Sequence, residues 1–301
     1  FSARYGIRPR VHIKYQPNLE DYGSADSARI NIEYYDVKDP VFAVQGDNIF
    51  DIDLENILDF HRSKGAFMTI GLMPVADVTG YGIADIDKEM RISRFVEKPH
   101  PEGAPSNLAN TGLYLLSPEI REVFKEREVQ EMIQKRRLDF GYDLIPYIVE
   151  TGRPVYGYTL KGAWYDVGTP ARYLEAMEGI LHGQLKSLQD FEGRVSEDST
   201  IWIQGTSTES VQRRREIIGK VREGRIELEG SVLIGRHCEV SDGARIVDSC
   251  IDNYTRIGRN VTIAGSAVMD RVIIGDDAEI RDSIIGRHSI IKSSSADATR
   301  I

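Results

Sequence analysis

Residues 234–263, IGRHCEVSDGARIVDSCIDNYTRIGRNVTI, repeat a β-branched apolar residue about every six positions. These residues are Ile234, Val240, Ile246, Ile251, Ile257 and Ile263. An amphipathic helix repeats near 3.6 residues and a half-buried strand at two, so neither explains this period. A six-residue period fits a solenoid of short strands and tight corners, in which each coil buries its apolar residues against the neighbouring coils.

The pattern continues as far as residue 291, with Ile274, Ile280, Ile285 and Ile291. A smaller residue lies four places after most of the large ones: Cys238, Ala244, Cys250, Thr255, Val261, Ala267, Ala278 and Ser289. The repeat resembles the hexapeptide repeats of left-handed β-helices, and this resemblance predicts such a parallel β-helix over residues 186–301. We interpret both cysteines as inward-facing core residues, not as metal ligands or a disulfide pair.

A charged segment near the start of this region, residues 207–224, has the sequence STESVQRRREIIGKVREG. Its arginines and lysines are interspersed with glutamates. Mixed signs of this kind are typical of a solvated helix rather than of a surface that binds nucleic acid. The sequence therefore predicts a helical insertion in the first coil of the solenoid.

Before residue 186 the chain alternates strand-like and helix-like segments. This alternation predicts an α/β domain over residues 1–185, with a Rossmann-like, mostly parallel sheet. The short apolar run VFAVQG, residues 41–46, predicts a strand covered on both faces. Helix starts are predicted at Asp53, Ser117 and Thr169, and the last two are followed by proline at the first helical position.

Composition excludes several classes of protein. The formal net charge of -9 argues against a general nucleic-acid binder, which needs clustered cationic residues. No apolar run approaches the roughly 20 residues that span a bilayer. With two cysteines there is no disulfide framework, and we expect a cytoplasmic protein.

Two aspartates end strand-like segments, and this placement indicates chemistry. Asp47 follows VFAVQG, and Asp166 lies in WYDVGTP just before a predicted helix. Ligands in open α/β sheets bind at the carboxyl ends of strands. Mg²⁺ prefers one or two carboxylates together with phosphate oxygens from a substrate. Each aspartate alone fits a turn or a helix cap, so the prediction of a magnesium site rests on their joint placement.

Further polar groups suit a phosphorylated sugar. Lys98 offers a point charge for a phosphate, and Glu97 an acceptor for sugar hydroxyls, although on their own the two also fit a surface ion pair before a proline. Glycines let a ligand approach the backbone closely. The remaining candidates for substrate binding are Gly82, Asn110, Thr111 and Gly112.

Several motifs occur in a fixed order: VQGDNIF, YGI, FVEKP, NTGLYLLSPEI, DFGYDLIPYI and WYDVGTPARYLEAM. Over residues 10 to 185 the set resembles the sugar-1-phosphate nucleotidyltransferases, or NDP-sugar pyrophosphorylases. Many members of that family carry a C-terminal left-handed β-helix. The resemblance implies Mg²⁺-dependent transfer of a nucleotidyl group from an NTP to a sugar 1-phosphate, with release of pyrophosphate.

By position in these motifs, Asp47 and Asp166 match the family's metal-binding aspartates, and Lys98 matches the lysine that contacts the sugar phosphate. Glu97, Gly82, Asn110 and Thr111 match its sugar-binding stretch. Gly23 corresponds to the glycine of a Leu-Gly-Thr-Ala segment beside the base. Here Tyr22 replaces the leucine and Ser24 the threonine, so the base contacts differ from the family pattern.

The family's glycine-rich triphosphate loop precedes everything in this sequence. We therefore expect that the N-terminal part of the nucleotide-binding half is missing from residues 1–301, whose first predicted strand is RVHIKYQ, residues 10–16. A chain that truly lacks the loop is expected not to catalyse the reaction.

The motif GDNIF is most similar to the branch that transfers thymidylyl groups to glucose 1-phosphate, so dTTP or UTP with glucose 1-phosphate is the expected substrate pair. Two alternatives remain: a mannose-1-phosphate guanylyltransferase, and a non-catalytic regulatory homologue of the same fold. The β-helix is expected to mediate homo-oligomerisation or regulation. An acyltransferase role, with His237 or His288 near the donor, is the alternative for that domain.

Overall fold

The computed structural model describes residues 20–188, 191–196 and 199–292. They form two compact units, the first made of residues 20–45 and 53–160 and the second of residues 46–52 and those from 161 onward. The strand expected at residues 10–16 lies outside the described residues. The domain limits of 1–185 and 186–301 stay predictions. Within the described ranges, no helix combines the length and apolar character needed to cross a bilayer.

The strands between residues 41 and 166 are β1 Val41–Val44, β2 Asn48–Phe50, β3 Met68–Pro74, β4 Gly82–Ile86, β5 Ile92–Glu97, β6 Leu108–Leu116, β7 Val155–Thr159 and β8 Trp164–Asp166. Six of them form the sheet of the first unit, in the order β5-β4-β6-β3-β7, with β1 joined to β6. One edge of β6 pairs with β3, and the other pairs with β4 and then with β1.

The sheet is mixed. β3 runs parallel to β7, and β1, β3 and β4 all run antiparallel to β6. Strands β1, β3, β4 and β7 therefore share one direction. Strands β5 and β6 run the other way, because β5 is antiparallel to β4. The predicted α/β class with a sheet rich in strands of one direction is confirmed, and the insertion of β6 between β1 and β3 makes the individual pairings mostly antiparallel.

The strand that is covered on both faces is β3 rather than β1. Residues 68–72 of β3 are all buried, whereas Val44 at the end of β1 is 50% exposed. β3 lies inside the sheet between β6 and β7, and β1 pairs with β6 alone among the described strands. The expectation for residues 41–46 is therefore wrong: residues 41–43 are half-buried and residues 44–46 are exposed, and an apolar run does not by itself show that both faces of a strand are covered.

The helices of the first unit are α1 Ser24–Tyr34, α2 Leu54–Ser63, α3 Ile120–Val123, α4 Arg127–Gln134 and α5 Ile145–Glu150, with a π-helical turn at Phe140–Leu144. The predicted cap of α2 is confirmed, because the Asp53 carboxylate accepts hydrogen bonds from the amides of Glu55 and Asn56. The core includes Met68, Leu72, Tyr114, Phe124 and Leu144, each no more than 1% exposed.

Ser117 does not cap the helix that follows it. The cap residue of α3 is Glu119, and the Ser117 hydroxyl instead donates to the carbonyl oxygen of Ala66 at 2.6 Å. The same hydroxyl contacts the buried ring of His61. A buried hydroxyl must find partners where it lies. This one finds them in the core, and that is why the predicted cap is absent.

The second unit begins with a two-stranded antiparallel ribbon of β2 and β8. Helix α6, Pro170–Leu181, follows, and its predicted cap is confirmed because Thr169 Oγ1 accepts from the amide of Arg172. Helix α7, Thr208–Arg222, is the predicted insertion and lies between the first two strands of the solenoid. The solenoid strands are β9 Ile201–Ile203, β10 Glu227–Glu229, β11 Val232–Ile234, β12 Glu239–Val240, β13 Arg245–Val247, β14 Cys250–Ile251, β15 Arg256–Ile257, β16 Thr262–Ala264, β17 Ala267–Val268, β18 Ile273–Ile274, β19 Glu279–Arg281, β20 Ile284–Ile285 and β21 Ile290–Ile291.

These strands form the three parallel sheets of a β-solenoid, in the orders β10-β13-β16-β19, β20-β17-β14-β11-β9 and β12-β15-β18-β21. Partners on successive coils are 17 residues apart, as for Arg245, Thr262 and Glu279. Two steps of six residues and one shortened step of about five give this spacing. The solenoid is consistent with the left-handed β-helix that the repeat predicts.

The interior of the solenoid confirms the aliphatic series. Ile234, Ile246, Ile251 and Ile263 are fully buried. Cys238 is buried as predicted, but Cys250 is only half-buried. The inward position next to it belongs to Ser249, because the shortened step moves the register by one residue.

Candidate active site

The β2–β8 ribbon of the second unit brings Asp47 next to Asp166. Asn48 is the register partner of Asp166, and the amide of Val167 donates to the carbonyl oxygen of Asp47 at 2.8 Å. The two aspartates therefore lie at the same end of the ribbon. This pairing between segments more than 100 residues apart fixes the separation of their side chains, which sequence spacing alone cannot do.

Both carboxylates face Gly168. An ideal Cβ at this glycine would lie 3.0 Å from Asp166 Oδ1 and 3.7 Å from Asp47 Oδ2. The Gly168 amide donates to Asp166 Oδ1 at 3.0 Å. Because residue 168 has no side chain, a space open to both carboxylates remains at this point.

Neighbouring groups orient the two acids. Arg172, in the first turn of α6, contacts Asp166 Oδ2 at 2.5 Å. The Asn48 amide donates to Asp47 Oδ1 at 3.3 Å, and the Trp164 indole donates to Asn48 Oδ1 at 2.7 Å. Arg172 offsets part of the repulsion between two close carboxylates, and it leaves Asp166 Oδ1 directed at the space beside Gly168.

The donor set fits a hard cation. Two carboxylates converge there, and the described residues hold no group of three or more histidine, cysteine or acidic side chains arranged for a metal. A site with so few protein ligands suits Mg²⁺, which usually binds one or two carboxylates plus phosphate oxygens and water. Asp47 and Asp166 could therefore hold Mg²⁺ together with a phosphorylated substrate.

In the first unit, the Glu97 carboxylate at the end of β5 lies between two glycines. A Cβ at Gly82 or at Gly141 would overlap Glu97 Oε2. Gly82 is the register partner of Glu97 on the neighbouring strand, and Gly141 belongs to the π-helical turn. Any larger residue at either position would displace this carboxylate.

The Glu97 carboxylate has an oxygen atom that is not satisfied by a hydrogen bond from the described residues. Its Oε2 atom is buried, and no described group forms a hydrogen bond with it. Burial raises the pKa of Glu97, the nearby Asp139 raises it further, and Lys98 opposes the shift. An unsatisfied buried carboxylate oxygen costs free energy, and a ligand hydroxyl is a partner that would relieve that cost.

Lys98 follows β5 in an unusual backbone conformation. Its φ is 45°, its side chain is exposed, and its amide donates to the carbonyl oxygen of Tyr81 at 3.0 Å. A non-glycine residue in the left-handed region carries a conformational cost. This conformation ends the alternation of the strand directly after the buried carboxylate.

The stretch from residue 110 to 112 is part of β6. Asn110 donates from its side chain to the hydroxyl of Tyr114 at 2.9 Å and accepts from the amide of Gly112 at 3.0 Å. Thr111 is buried and its hydroxyl donates to the carbonyl oxygen of Gly71 at 2.9 Å. Gly112 has a φ of 72°, and a Cβ there would overlap the side chain of Gln45. The side chain of Thr111 therefore bonds within the sheet, and its role in substrate binding stays a prediction.

Gly23 also occupies a place that needs glycine. Its φ is 134°, and a Cβ would lie 2.6 Å from the carbonyl oxygen of Leu138. Residues that sequence reasoning left without a role surround this contact. Ser24 and Asp139 are joined by a hydrogen bond of 2.6 Å, and Tyr114 stacks on Phe140 with ring centroids 4.2 Å apart.

The motif DFGYDLIPYI, residues 139–148, contains Asp139 and Phe140, and also Gly141. The motif marks the segment, but nothing in its spacing indicates that Gly141 lies against Glu97. Arg172 gave no signal either, because an arginine in the first turn of a helix is usually a surface residue.

Comparison with protein-family models matches residues 2–183 to a model described as nucleotidyl transferase. The chain belongs to the nucleotidyl transferase family. A second model, described as the GMPPB C-terminal domain, matches residues 227–296, which lie within the solenoid region.

Curated relatives of this nucleotidyl transferase include sugar-phosphate enzymes. UTP–glucose-1-phosphate uridylyltransferase of Synechocystis sp. is 28% identical over 288 residues, covering 91% of this chain and 70% of that protein. Glucose-1-phosphate adenylyltransferase of Bacillus cytotoxicus is 29% identical over 266 residues, covering 86% of this chain and 69% of that protein. The homologous enzyme of Desulforamulus reducens is 28% identical over 275 residues, covering 90% and 63%.

Proposed function

We propose that this nucleotidyl transferase joins the nucleotidyl group of an NTP to a sugar 1-phosphate. The observation that carries the proposal is the convergence of the Asp47 and Asp166 carboxylates beside Gly168. The buried, unpartnered oxygen of Glu97 next to Lys98 supports the sugar phosphate as second substrate. These acids and this lysine also favour an enzyme over a non-catalytic homologue, which would have no need of them.

In the proposed reaction, an oxygen of the sugar phosphate forms a bond to the α-phosphorus, the bond to the β-phosphate oxygen breaks, and pyrophosphate leaves with that electron pair. Both reactants are anions that repel each other. Mg²⁺ held by Asp47 and Asp166 would neutralise phosphate charge. Lys98 offsets the charge of the sugar phosphate, and Glu97 accepts hydrogen bonds from sugar hydroxyls.

No general base is needed, because a phosphate monoester loses its second proton with a pKa of about 6 and is already a dianion near neutral pH. The protein's task is alignment of the attacking oxygen and stabilisation of charge as the bond to pyrophosphate breaks. The orientation of the Asn110 amide is restricted, because its nitrogen donates to Tyr114 and its oxygen accepts from Gly112 of the same strand. This fixed orientation would help to align the sugar phosphate.

For the substrates, we infer that glucose 1-phosphate is paired with dTTP or UTP. The name of the Synechocystis relative, which specifies UTP and glucose 1-phosphate, supports this choice. A second candidate is guanylyl transfer to mannose 1-phosphate, and the match of residues 227–296 to the GMPPB C-terminal domain favours it. We also infer self-association through the solenoid, which chromatography with light scattering would test.

A pyrophosphate-release assay on the full-length protein tests the proposal. Each of ATP, GTP, UTP, CTP and dTTP is combined with glucose 1-phosphate and with mannose 1-phosphate, with Mg²⁺ or with EDTA. We expect turnover that depends on Mg²⁺ and is strongest for UTP or dTTP with glucose 1-phosphate. Preference for GTP with mannose 1-phosphate would select the second candidate, and no turnover of any pair would refute both.

A further inference from the structure

Within the first unit, the side-chain hydroxyl of Ser24 joins the start of α1 to the π-helical turn. Ser24 Oγ donates to Asp139 Oδ2 at 2.6 Å, and it accepts from the amide of Phe140 at 3.1 Å. The two partners are adjacent in the turn but more than 110 residues from Ser24 along the chain. The hydroxyl uses its one donor and one of its lone pairs in this contact.

Backbone hydrogen bonds hold the same two segments closely together. The Leu138 amide donates to the carbonyl oxygen of Tyr22 at 2.8 Å, and the Asp26 amide donates to the carbonyl oxygen of Leu138 at 3.1 Å. Gly23 lies between them, against Leu138, with no room for a side chain. A displacement of residues 22–24 therefore cannot be absorbed by loose packing and has to move residues 138–140 as well.

The second oxygen of Asp139 caps the N-terminal end of the same turn. Asp139 Oδ1 accepts from the amide of Gly141 at 2.8 Å and from the amide of Tyr142 at 3.2 Å. Gly141 in turn lies against the Glu97 carboxylate. One carboxylate thus joins Ser24, through Oδ2, to the residue that limits the position of Glu97, through Oδ1.

We propose that Ser24 is a positioning residue that couples nucleotide binding beside Gly23 to sugar-phosphate binding at Glu97, acting through Asp139 and Gly141. This inference rests on the proposed function, which places the sugar at Glu97, and on the family resemblance, which implies that the base lies beside Gly23. A base that settles against Gly23 orders Ser24, and Ser24 holds the turn that keeps Glu97 in place. Coupling of this kind is reciprocal, so the sugar phosphate must also tighten nucleotide binding.

The variant Ser24→Ala removes the hydroxyl, and Ser24→Thr keeps it, with the residue that the family resemblance places at this position. Ser27→Ala is the matched control, because Ser27 lies in the same helix and its hydroxyl also donates to a carboxylate, that of Asp21, at 2.7 Å. A general loss of helix stability would affect the alanine variants at both positions.

The first measurement is the coupling itself, by calorimetric titration of glucose 1-phosphate with and without α,β-methylene-UTP, whose α–β bridge cannot break. The ratio of the two dissociation constants is the coupling factor. We expect Ser24→Ala to reduce this factor on the order of tenfold, the loss typical of a hydrogen bond to a charged group. Ser24→Thr and Ser27→Ala should keep the parent value.

The second measurement needs no substrate. Amide hydrogen exchange of Gly141 and Tyr142, followed by NMR, should accelerate several-fold in Ser24→Ala and return to the parent rate in Ser24→Thr. Unchanged exchange at these amides overturns the inference whatever the activity of the protein. Accelerated exchange with an unchanged coupling factor overturns it too, because the contact would then be only structural.

Failure of the proposed function and failure of the coupling give different results. A parent protein that binds and turns over no pair of substrates refutes the proposed function, and the exchange experiment still decides whether Ser24 holds the turn. A parent that is active but shows the same coupling factor as Ser24→Ala refutes the coupling alone.

Discussion

The Glu97 carboxylate occupies the space that a side chain at Gly141 would need. A Cβ at residue 141 would overlap Glu97 Oε2 and Cδ. We therefore expect Gly141→Ala to displace the carboxylate and to raise the KM for the sugar 1-phosphate by about tenfold or more, with a stability loss of about 1–3 kcal/mol from overpacking. Steady-state kinetics and urea denaturation measure the two effects.

Gly219→Ala is the control for that substitution, because a Cβ there meets nothing within 4 Å and residue 219 lies inside helix α7. This variant should gain about 1 kcal/mol of stability from helix propensity and keep its KM. An unchanged KM in Gly141→Ala would show that the position of Glu97 does not matter for the sugar.

The raised pKa of Glu97 predicts a pH effect on stability. Burial, the first cause, and Asp139 both favour the neutral acid in the folded protein, so the folded pKa lies above the ordinary value of 4.5. The neutral acid therefore favours folding most below pH 4.5, and this contribution is lost as the pH rises through the folded pKa. The free energy of unfolding of the parent should fall over that range.

Glu97→Gln removes the titration and should flatten this part of the pH profile, which urea denaturation at a series of pH values would show. The control Glu102→Gln changes an exposed glutamate of the same unit and should keep the parent profile. Parallel profiles for the parent and Glu97→Gln would contradict the assignment of the shift to Glu97.

The metal role of Asp166 predicts a large loss of activity without unfolding. Asp166→Asn keeps the shape of the side chain but removes the charge, so we expect kcat to fall at least about 100-fold, in the range seen when one electrostatic group is removed from an active site. Asp59→Asn, at an exposed position of α2, is the matched control. Pyrophosphate release over a Mg²⁺ titration is the measurement, and full activity of Asp166→Asn would remove the magnesium proposal.

Much of the solenoid could be predicted from the sequence, because the same spacing of apolar residues recurs in every coil. Ile246 and Ile263 are buried as the repeat requires, and the shortened step appears as the spacing of 17 residues between coils. The same step misled the interpretation of Cys250, since a shift of one residue exchanges the inward and outward positions of a strand. Ser249 takes the inward place.

The candidate site could be predicted only in part from the sequence. The positions of Asp47 and Asp166 at strand ends led to the expectation that they lie close, and the structure brings them together at Gly168. For other residues that meet through long-range contacts, the sequence contains no comparable pattern. Nothing in the local pattern of Ser24, Asp139 or Gly141 indicates that these residues meet, because tertiary packing and not periodicity decides it.

The solenoid core predicts a contrast between two isoleucines. Ile263 is fully buried, whereas Ile290 on the last coil is 69% exposed. Ile263→Ala should cost about 2–5 kcal/mol of unfolding free energy, since it leaves a cavity, and Ile290→Ala should change it by less than about 0.5 kcal/mol. Denaturation monitored by circular dichroism compares them, and equal losses would contradict the inward direction of Ile263.

His61 predicts a second effect of pH on stability, in which stability is lost as the pH falls. Its ring is buried, with Nδ1 2.8 Å from Thr69 Oγ1 and Nε2 2.9 Å from Ser117 Oγ. Since the Ser117 hydroxyl donates to Ala66, its oxygen accepts from Nε2–H, and Nδ1 accepts from Thr69. Both ring nitrogens are therefore satisfied in the neutral form.

Burial lowers the pKa of His61 below its ordinary value of 6.5. The unfolded chain then binds more protons than the folded one, so the stability that the neutral ring supplies is complete above pH 6.5 and is lost as the pH falls toward the folded pKa. His61→Gln should be less stable at pH 7.5 by about 1–3 kcal/mol, because one hydroxyl loses its partner, but it should lack this part of the acid-side decline. His100→Gln, at an exposed position, is the control. Urea denaturation between pH 5 and 8 tests the contrast, and an acid-side decline as steep in His61→Gln as in the parent would assign the effect to other groups.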